Sequence, residues 1–196
     1  MNKAVFIDKD GTLIPDIPYN VQPDLITLEK RVAEGLRIFA RSGYLLVIIS
    51  NQSGVARGYF EEAALLPVKE KITDLLEKED ITLHGFYYCP HHPQGKLAGY
   101  AVECSCRKPA PGMILEAAKE LQIDLAASWM IGDILNDVEA GNRAGCRTVL
   151  INNGNETGWV NGEWRKPTLL TGDVWEAALL ICTTQGAKEK EHESMA

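Results

Sequence analysis

The sequence predicts an α/β domain, a parallel sheet doubly wound with helices on both faces, and three observations lead there. Short apolar runs alternate with stretches of helical spacing along most of the chain. The clearest run, YLLVIIS at 44–50, has no polar alternation, as expected of a strand covered on both faces. The repeating unit of strand plus helix has the length of a crossover connection, which joins parallel neighbours.

AVFID at 4–8 is the first strand. After a proline-rich loop, Val32, Leu36, Phe39 and Ala40 recur at helical spacing and stop at Gly43, and the strand at 44–50 follows. From Glu61 to Glu79 the pattern is helical, with Pro67 kinking the helix or starting a second segment. HGFYYC at 84–89 is a third strand, and Pro111 suits the first turn of a helix reaching about Gln122. WMIGD at 129–133, a short helix at 136–144 and TVLI at 148–151 continue the alternation. A loop rich in Gly, Asn and Trp leads to TLL at 168–170 and a last helix at 173–182. Residues 1–185 are thus expected to form a single domain, with 186–196, GAKEKEHESMA, a solvated, disordered acidic tail.

At 45% apolar and 24% charged residues the composition is that of an ordinary globular protein. A formal charge of −7 without any long Lys/Arg block argues against nucleic acid or an anionic membrane as partner, yet allows a local basic pocket for a small anion. There is no leader pattern and no apolar run of membrane length, so a soluble, cytoplasmic protein is expected. In a reducing compartment the five cysteines are left to metal ligation, catalysis or burial. Cys146 and Cys182, in apolar surroundings, read as core.

Ligands of doubly wound sheets sit beyond the carboxyl ends of the strands, and Asp8, Ser50 and Asp133 each fall at such an end. Asp8 and Asp10, joined by Asp133, repel one another unless a cation compensates them, and a few carboxylates with room for water and phosphate suit Mg²⁺. With the cation in place, Asp8 can attack phosphorus and form an aspartyl-phosphate, while Asp10 protonates the leaving oxygen and later deprotonates water. Gly11 and Thr12 turn the backbone toward an anion, Ser50 and Asn51 donate to phosphoryl oxygens, and Lys108 neutralises developing charge. Each piece has a plainer reading: a DxD pair as a turn, Ser50 and Asn51 as a strand end, Lys108 as a solvated cation, Asp133 and Asp137 as helix caps. Their joint occurrence, in order at successive strand ends, favours the chemical one.

Cys89, His91, Cys104 and Cys106 offer one nitrogen and three thiolates, a set suited to closed, tetrahedral Zn²⁺. The C-x-H and C-x-C spacing departs from that of zinc fingers, His92 competes with His91, and idle thiols beside surface histidines are the alternative.

DKDGT, IISNQSGVARG, CRKPAPGM and GDILNDVEAGNRAG resemble the four motifs of the haloacid-dehalogenase (HAD) phosphohydrolases. Over about residues 4–153 the chain resembles, more closely, the D-glycero-D-manno-heptose 1,7-bisphosphate phosphatases and the related histidinol-phosphate phosphatases. The resemblance implies a Rossmann-like sheet of strand order 3-2-1-4-5, and the short intervals between motifs leave no room for a cap domain. It also implies that Asp8 is the nucleophile, Asp10 the general acid and base, and Ser50 and Lys108 phosphate ligands, with Asp8, the Asp10 carbonyl and Asp133 holding Mg²⁺ and Asp137 acting from behind them. Gln52, Arg57 and Arg107 are further candidate substrate contacts, the two arginines for a second phosphate or another anionic group. The same resemblance favours His91 over His92 in a structural zinc loop. The expected activity is Mg²⁺-dependent removal of the C7 phosphate of a heptose 1,7-bisphosphate by a monomeric enzyme acting on a small phosphorylated sugar. Histidinol-phosphate phosphatase is the alternative enzyme. Outside that class stands a phosphorylatable signalling module, and a nucleic-acid 3'-phosphatase is disfavoured by the acidic charge.

Overall fold

The computed structural model describes residues 1–193, with side chains through Thr183. Its centre is a six-stranded, wholly parallel sheet of order β3-β2-β1-β4-β5-β6. The strands are β1 (Lys3–Ile7), β2 (Tyr44–Asn51), β3 (Gly85–Cys89), β4 (Trp129–Gly132), β5 (Arg147–Ile151) and β6 (Leu169–Thr171). The expected order is present, extended by β6 at one edge.

Side chains alternate across a strand, so each continuous apolar run feeds two cores. Val5 and Ile7 join Leu46, Ile48, Ile131 and Val149 on one face, against α1 (Val32–Arg41), α3 (Leu65–Glu77) and α6 (Val174–Glu193). Ala4 and Phe6 join Val47, Ile49 and Met130 on the other, against α4 (Gly112–Glu120) and α5 (Leu135–Ala144). Burying each such large side chain stabilises by about 1.5–3 kcal/mol, which is why these runs admit no polar residue.

Pro67 is the third residue of α3, in the first turn, where a backbone N–H is not needed; it does not kink the helix. Residues 62–64 before it form a 3₁₀ turn. A one-turn helix, α2 (Gly54–Arg57), lies within the second motif and has no counterpart in the sequence pattern. Past Cys182, α6 continues to Glu193, through most of the segment expected to be a tail, because 187–191, AKEKE, are good helix formers and Gly186 costs only about 1 kcal/mol. Residues 194–196 lie outside the described part. Between Thr12 and Ser50, and between Asn51 and Lys108, stand only loops, the helices and strand named above and short 3₁₀ turns. No described helix is long and apolar enough to cross a membrane.

Candidate active site

The register of the central strands builds the site. Ile7 lies beside Ile48 on one neighbour and Ile131 on the other, and the Asp8 amide still donates to the Ile131 carbonyl at 2.9 Å. Asp8 therefore emerges beside Asp133. The chain then turns at Gly11, whose φ of +81° favours glycine and whose N–H donates to Ile14 O at 2.8 Å. A Cβ there would lie 2.2 Å from Asp133 Oδ2 and 2.6 Å from Asn155 Nδ2, so the turn's close approach to the acidic cluster also demands glycine.

Asp8, Asp133 and Asp137 bring carboxylate oxygens within 4.8 Å of one another, all buried. Lys108, 3% exposed, is the cation among them: its Nζ donates to Asp8 Oδ1 and to Ile49 O at 3.0 Å, and forms an ion pair with Asp137 Oδ1 at 2.6 Å. Asn51 fixes that lysine by accepting from its backbone N–H and donating to its carbonyl, both at 3.0 Å. Asp137 also accepts from the Ile134 amide at 3.3 Å, so the helix-capping and site readings of this residue hold together. Burial, with repulsion from Asp137 and Asp10, pushes the Asp8 carboxyl up to about 7 although Lys108 pulls it down. Burial and the charge of Asp8 raise Asp133 to about 6, opposed by its hydrogen bond from Asn155. One ammonium leaves this cluster short of positive charge, and its hard oxygen donors fit Mg²⁺.

The Asp10 side chain turns away from this cluster. Its Oδ1 accepts from Lys9 Nζ and its Oδ2 from Gln52 Nε2 at 3.1 Å; Gln52 Nε2 also donates to Ser50 Oγ at 2.7 Å. Ser50 is fully buried. In this arrangement the Ser50 hydroxyl and the Asn51 carboxamide, expected on a phosphoryl group, instead bear on Gln52 and on the Lys108 backbone. A cleft of about 210 Å³ lined by Asp8, Asp10, Asn51, Lys108, Asp133 and Asn155 receives the site. A second, of about 300 Å³, adjoins it on the Asp10 side, where Asp16, Tyr19, Asn20 and Gln52 offer polar groups.

Two residues in this constellation were not legible in the sequence. Asn155, in the loop after β5, donates to Asp133 Oδ2 at 2.7 Å, while Asn153 donates to Gly11 O at 2.7 Å. No motif marks that loop; its only signal is its start at the carboxyl end of a central strand. Lys9 sits in plain view within DKDGT, but a lysine between two aspartates reads as solvated, whereas it is 1% exposed.

Cys89, His91, Cys104 and Cys106 form the other cluster. Cys106 Sγ lies 3.0 Å from Cys89 Sγ and 3.2 Å from Cys104 Sγ, and His91 Nδ1 lies 3.4 and 3.7 Å from Cys106 and Cys89. A tetrahedral zinc with Zn–S bonds of about 2.3 Å holds its thiolates about 3.8 Å apart; the separations here are all shorter, so the four groups need only spread slightly to take Zn²⁺. His92 turns elsewhere, to Arg57 at 3.1 Å and, through Nδ1, to the Gln94 amide. Arg107 donates to His91 O at 3.2 Å. Arg57, at the end of α2, and Arg107 thus make their contacts with the cysteine loop, and neither lines the cleft at Asp8. Tyr88 and Tyr100 tie that loop down through Glu62, at 2.9 and 2.6 Å. Cys146 and Cys182 pack among apolar residues, and burial pushes the Cys146 thiol up to about 12.

The model of the HAD-hydrolase-like family matches residues 105–177. The chain is 47% identical over 141 residues to the D-glycero-beta-D-manno-heptose-1,7-bisphosphate 7-phosphatase of Haemophilus influenzae, covering 72% of this chain and 76% of that one. Identity to the enzyme of the same name from Escherichia coli K12 is 43% over 152 residues, 77% and 80% of the two chains. Among solved structures, the D,D-heptose 1,7-bisphosphate phosphatase of B. bronchiseptica, complexed with magnesium and phosphate, superposes with a TM-score of 0.80 at 28% identity, covering 93% of this chain and 99% of that one.

Proposed function

The chain belongs to the HAD-like hydrolases, in the family of the D-glycero-D-manno-heptose 1,7-bisphosphate 7-phosphatases, and from that premise we propose that it hydrolyses the C7 phosphate of that sugar. The observation that carries the reading is the convergence of Asp8, Asp133 and Lys108 in one cleft.

Asp8, Asp133 and the backbone carbonyl of Asp10 would hold Mg²⁺, which screens the carboxylates from a phosphate dianion. An Asp8 carboxylate oxygen attacks phosphorus as the bond from phosphorus to the sugar oxygen breaks, and Asp10 delivers its proton to that oxygen. Asp10, now a carboxylate, takes a proton from the water that attacks the aspartyl-phosphate, freeing Asp8 and inorganic phosphate. Lys108 neutralises charge on the phosphoryl oxygens, steadied from behind by Asp137 and along its backbone by Asn51. Gln52 and Ser50 act through Asp10 in this scheme. Arg57 and Arg107 bind the phosphate that is not cleaved. Cys89, His91, Cys104 and Cys106 hold a structural Zn²⁺ that fixes the loop entering Arg107 and Lys108. A reducing, cytoplasmic setting agrees with three thiols in contact and no disulfide.

Phosphate release from a panel of sugar phosphates with Mg²⁺, including both anomers of heptose 1,7-bisphosphate and histidinol phosphate, tests this. The heptose bisphosphate should turn over fastest and lose one phosphate per molecule. Release from no member, or preference for histidinol phosphate, would overturn the assignment.

A further inference from the structure

Burying an ammonium is unfavourable unless it is paired. Lys9 is nevertheless among the largest fully buried side chains, and the one hydrogen bond its Nζ makes among the described residues goes to Asp10 Oδ1. Its backbone is equally committed, since the Lys9 carbonyl accepts from the amides of Leu13 at 3.1 Å and Ile14 at 2.9 Å. Asp10 itself keeps a side-chain exposure of 30% and lines both adjoining clefts. A rigid, buried donor thus grips a carboxyl that faces the substrate space.

We propose that Lys9 is a positioning residue which, with Gln52, keeps the Asp10 carboxyl turned toward the leaving-group cleft and off the cation site formed by Asp8 and Asp133. The inference rests on the reading of Asp10 as general acid and base. A short aspartate side chain two residues from another metal-binding carboxylate has a competing destination, the cation itself. With Oδ1 on Lys9 and Oδ2 on Gln52, that rotation requires breaking two hydrogen bonds, one of them to a charged donor. Proton transfer depends on placement to within a fraction of an ångström, so the grip bears on the rate of leaving-group departure rather than on phosphate binding.

The test compares kcat/KM, which reports the first phosphoryl transfer, on heptose 1,7-bisphosphate and on p-nitrophenyl phosphate, whose leaving group departs without a proton. Asp10→Asn serves as reference and should be impaired far more on the sugar phosphate. Lys9→Met should show the same asymmetry, losing about 10²-fold on the sugar phosphate and several-fold less on the nitrophenyl ester. Lys9→Arg should recover most of the loss. Should Lys9→Met not fold, Lys9→Gln, which keeps a donor without the charge, carries the same comparison. Asymmetry in Asp10→Asn with equal losses in the Lys9 variants would give Lys9 a merely structural role and overturn this inference alone. Equal losses in Asp10→Asn itself would overturn the acid role of Asp10, and this inference with it.

Discussion

Asp8 is 7% exposed, beside two other buried carboxylates, and among the described residues only Lys108 supports its charge directly. Exchange for asparagine keeps its size and removes only its charge and nucleophilicity. Asp8→Asn should retain the fold by circular dichroism while turnover falls by about 10⁴-fold or more, as loss of a nucleophile does elsewhere; retained activity would remove Asp8 from that role. Asn155 works at one remove, since its hydrogen bond favours the ionised form of Asp133. Asn155→Ala should weaken Mg²⁺ binding about tenfold by titration calorimetry, the usual scale for a residue that orients a metal ligand, and an unchanged affinity would separate the loop from the cation. At this scale the sequence was legible where chemistry is local. Asp8 and Asp10 announce themselves by spacing and Lys108 by its motif. Asn155 does not, because it reaches Asp133 across 22 positions by way of a loop, and the burial of Lys9 is decided by what packs over it.

Among the elements, the cysteine loop brings three thiols and an imidazole together and then runs directly into Arg107 and Lys108. Cys106→Ser should abolish stoichiometric zinc by metal analysis and lower the melting temperature, with activity lost through displacement of Lys108; full zinc content in the variant would show the ligand set to be wrong. Which histidine joins the three cysteines could not be chosen from spacing alone, because His91 and His92 are adjacent and only the turn of the backbone separates them. Strands β1, β2 and β4 were legible from unbroken apolar runs, since a strand covered on both faces tolerates no polar position. Pro67 was ambiguous because its effect depends on which helical turn it occupies, and the start of α3 is set by tertiary packing. The extent of α6 was underestimated for a related reason: a polar, helix-forming sequence carries no burial signal.

For the whole molecule, the site exists because β1 lies between β2 and β4, so that residues far apart in sequence meet where the chain order reverses. The cost is a buried acidic cluster. Asp8 at about 7 and Asp133 at about 6 both stand above the ordinary 3.8 of an unfolded aspartate. The stability these protonated groups contribute is fully present below about pH 4 and is lost as pH rises through 6 to 7. Metal-free protein should therefore melt at lower temperature at about pH 8 than at about pH 5. Added Mg²⁺ should raise the melting temperature more at the higher pH, with protons released on binding below about pH 7. A Mg²⁺ effect independent of pH in differential scanning calorimetry would mean that the cation does not bind these carboxylates.

The most direct measurement is chemical trapping during turnover. Enzyme hydrolysing heptose 1,7-bisphosphate with Mg²⁺ is quenched rapidly, reduced with borohydride and digested for peptide mass spectrometry; reduction converts an aspartyl-phosphate to homoserine. Homoserine should appear at position 8, dependent on both substrate and Mg²⁺. Efficient trapping at another carboxylate, with Asp8 intact throughout turnover, would remove Asp8 as the nucleophile.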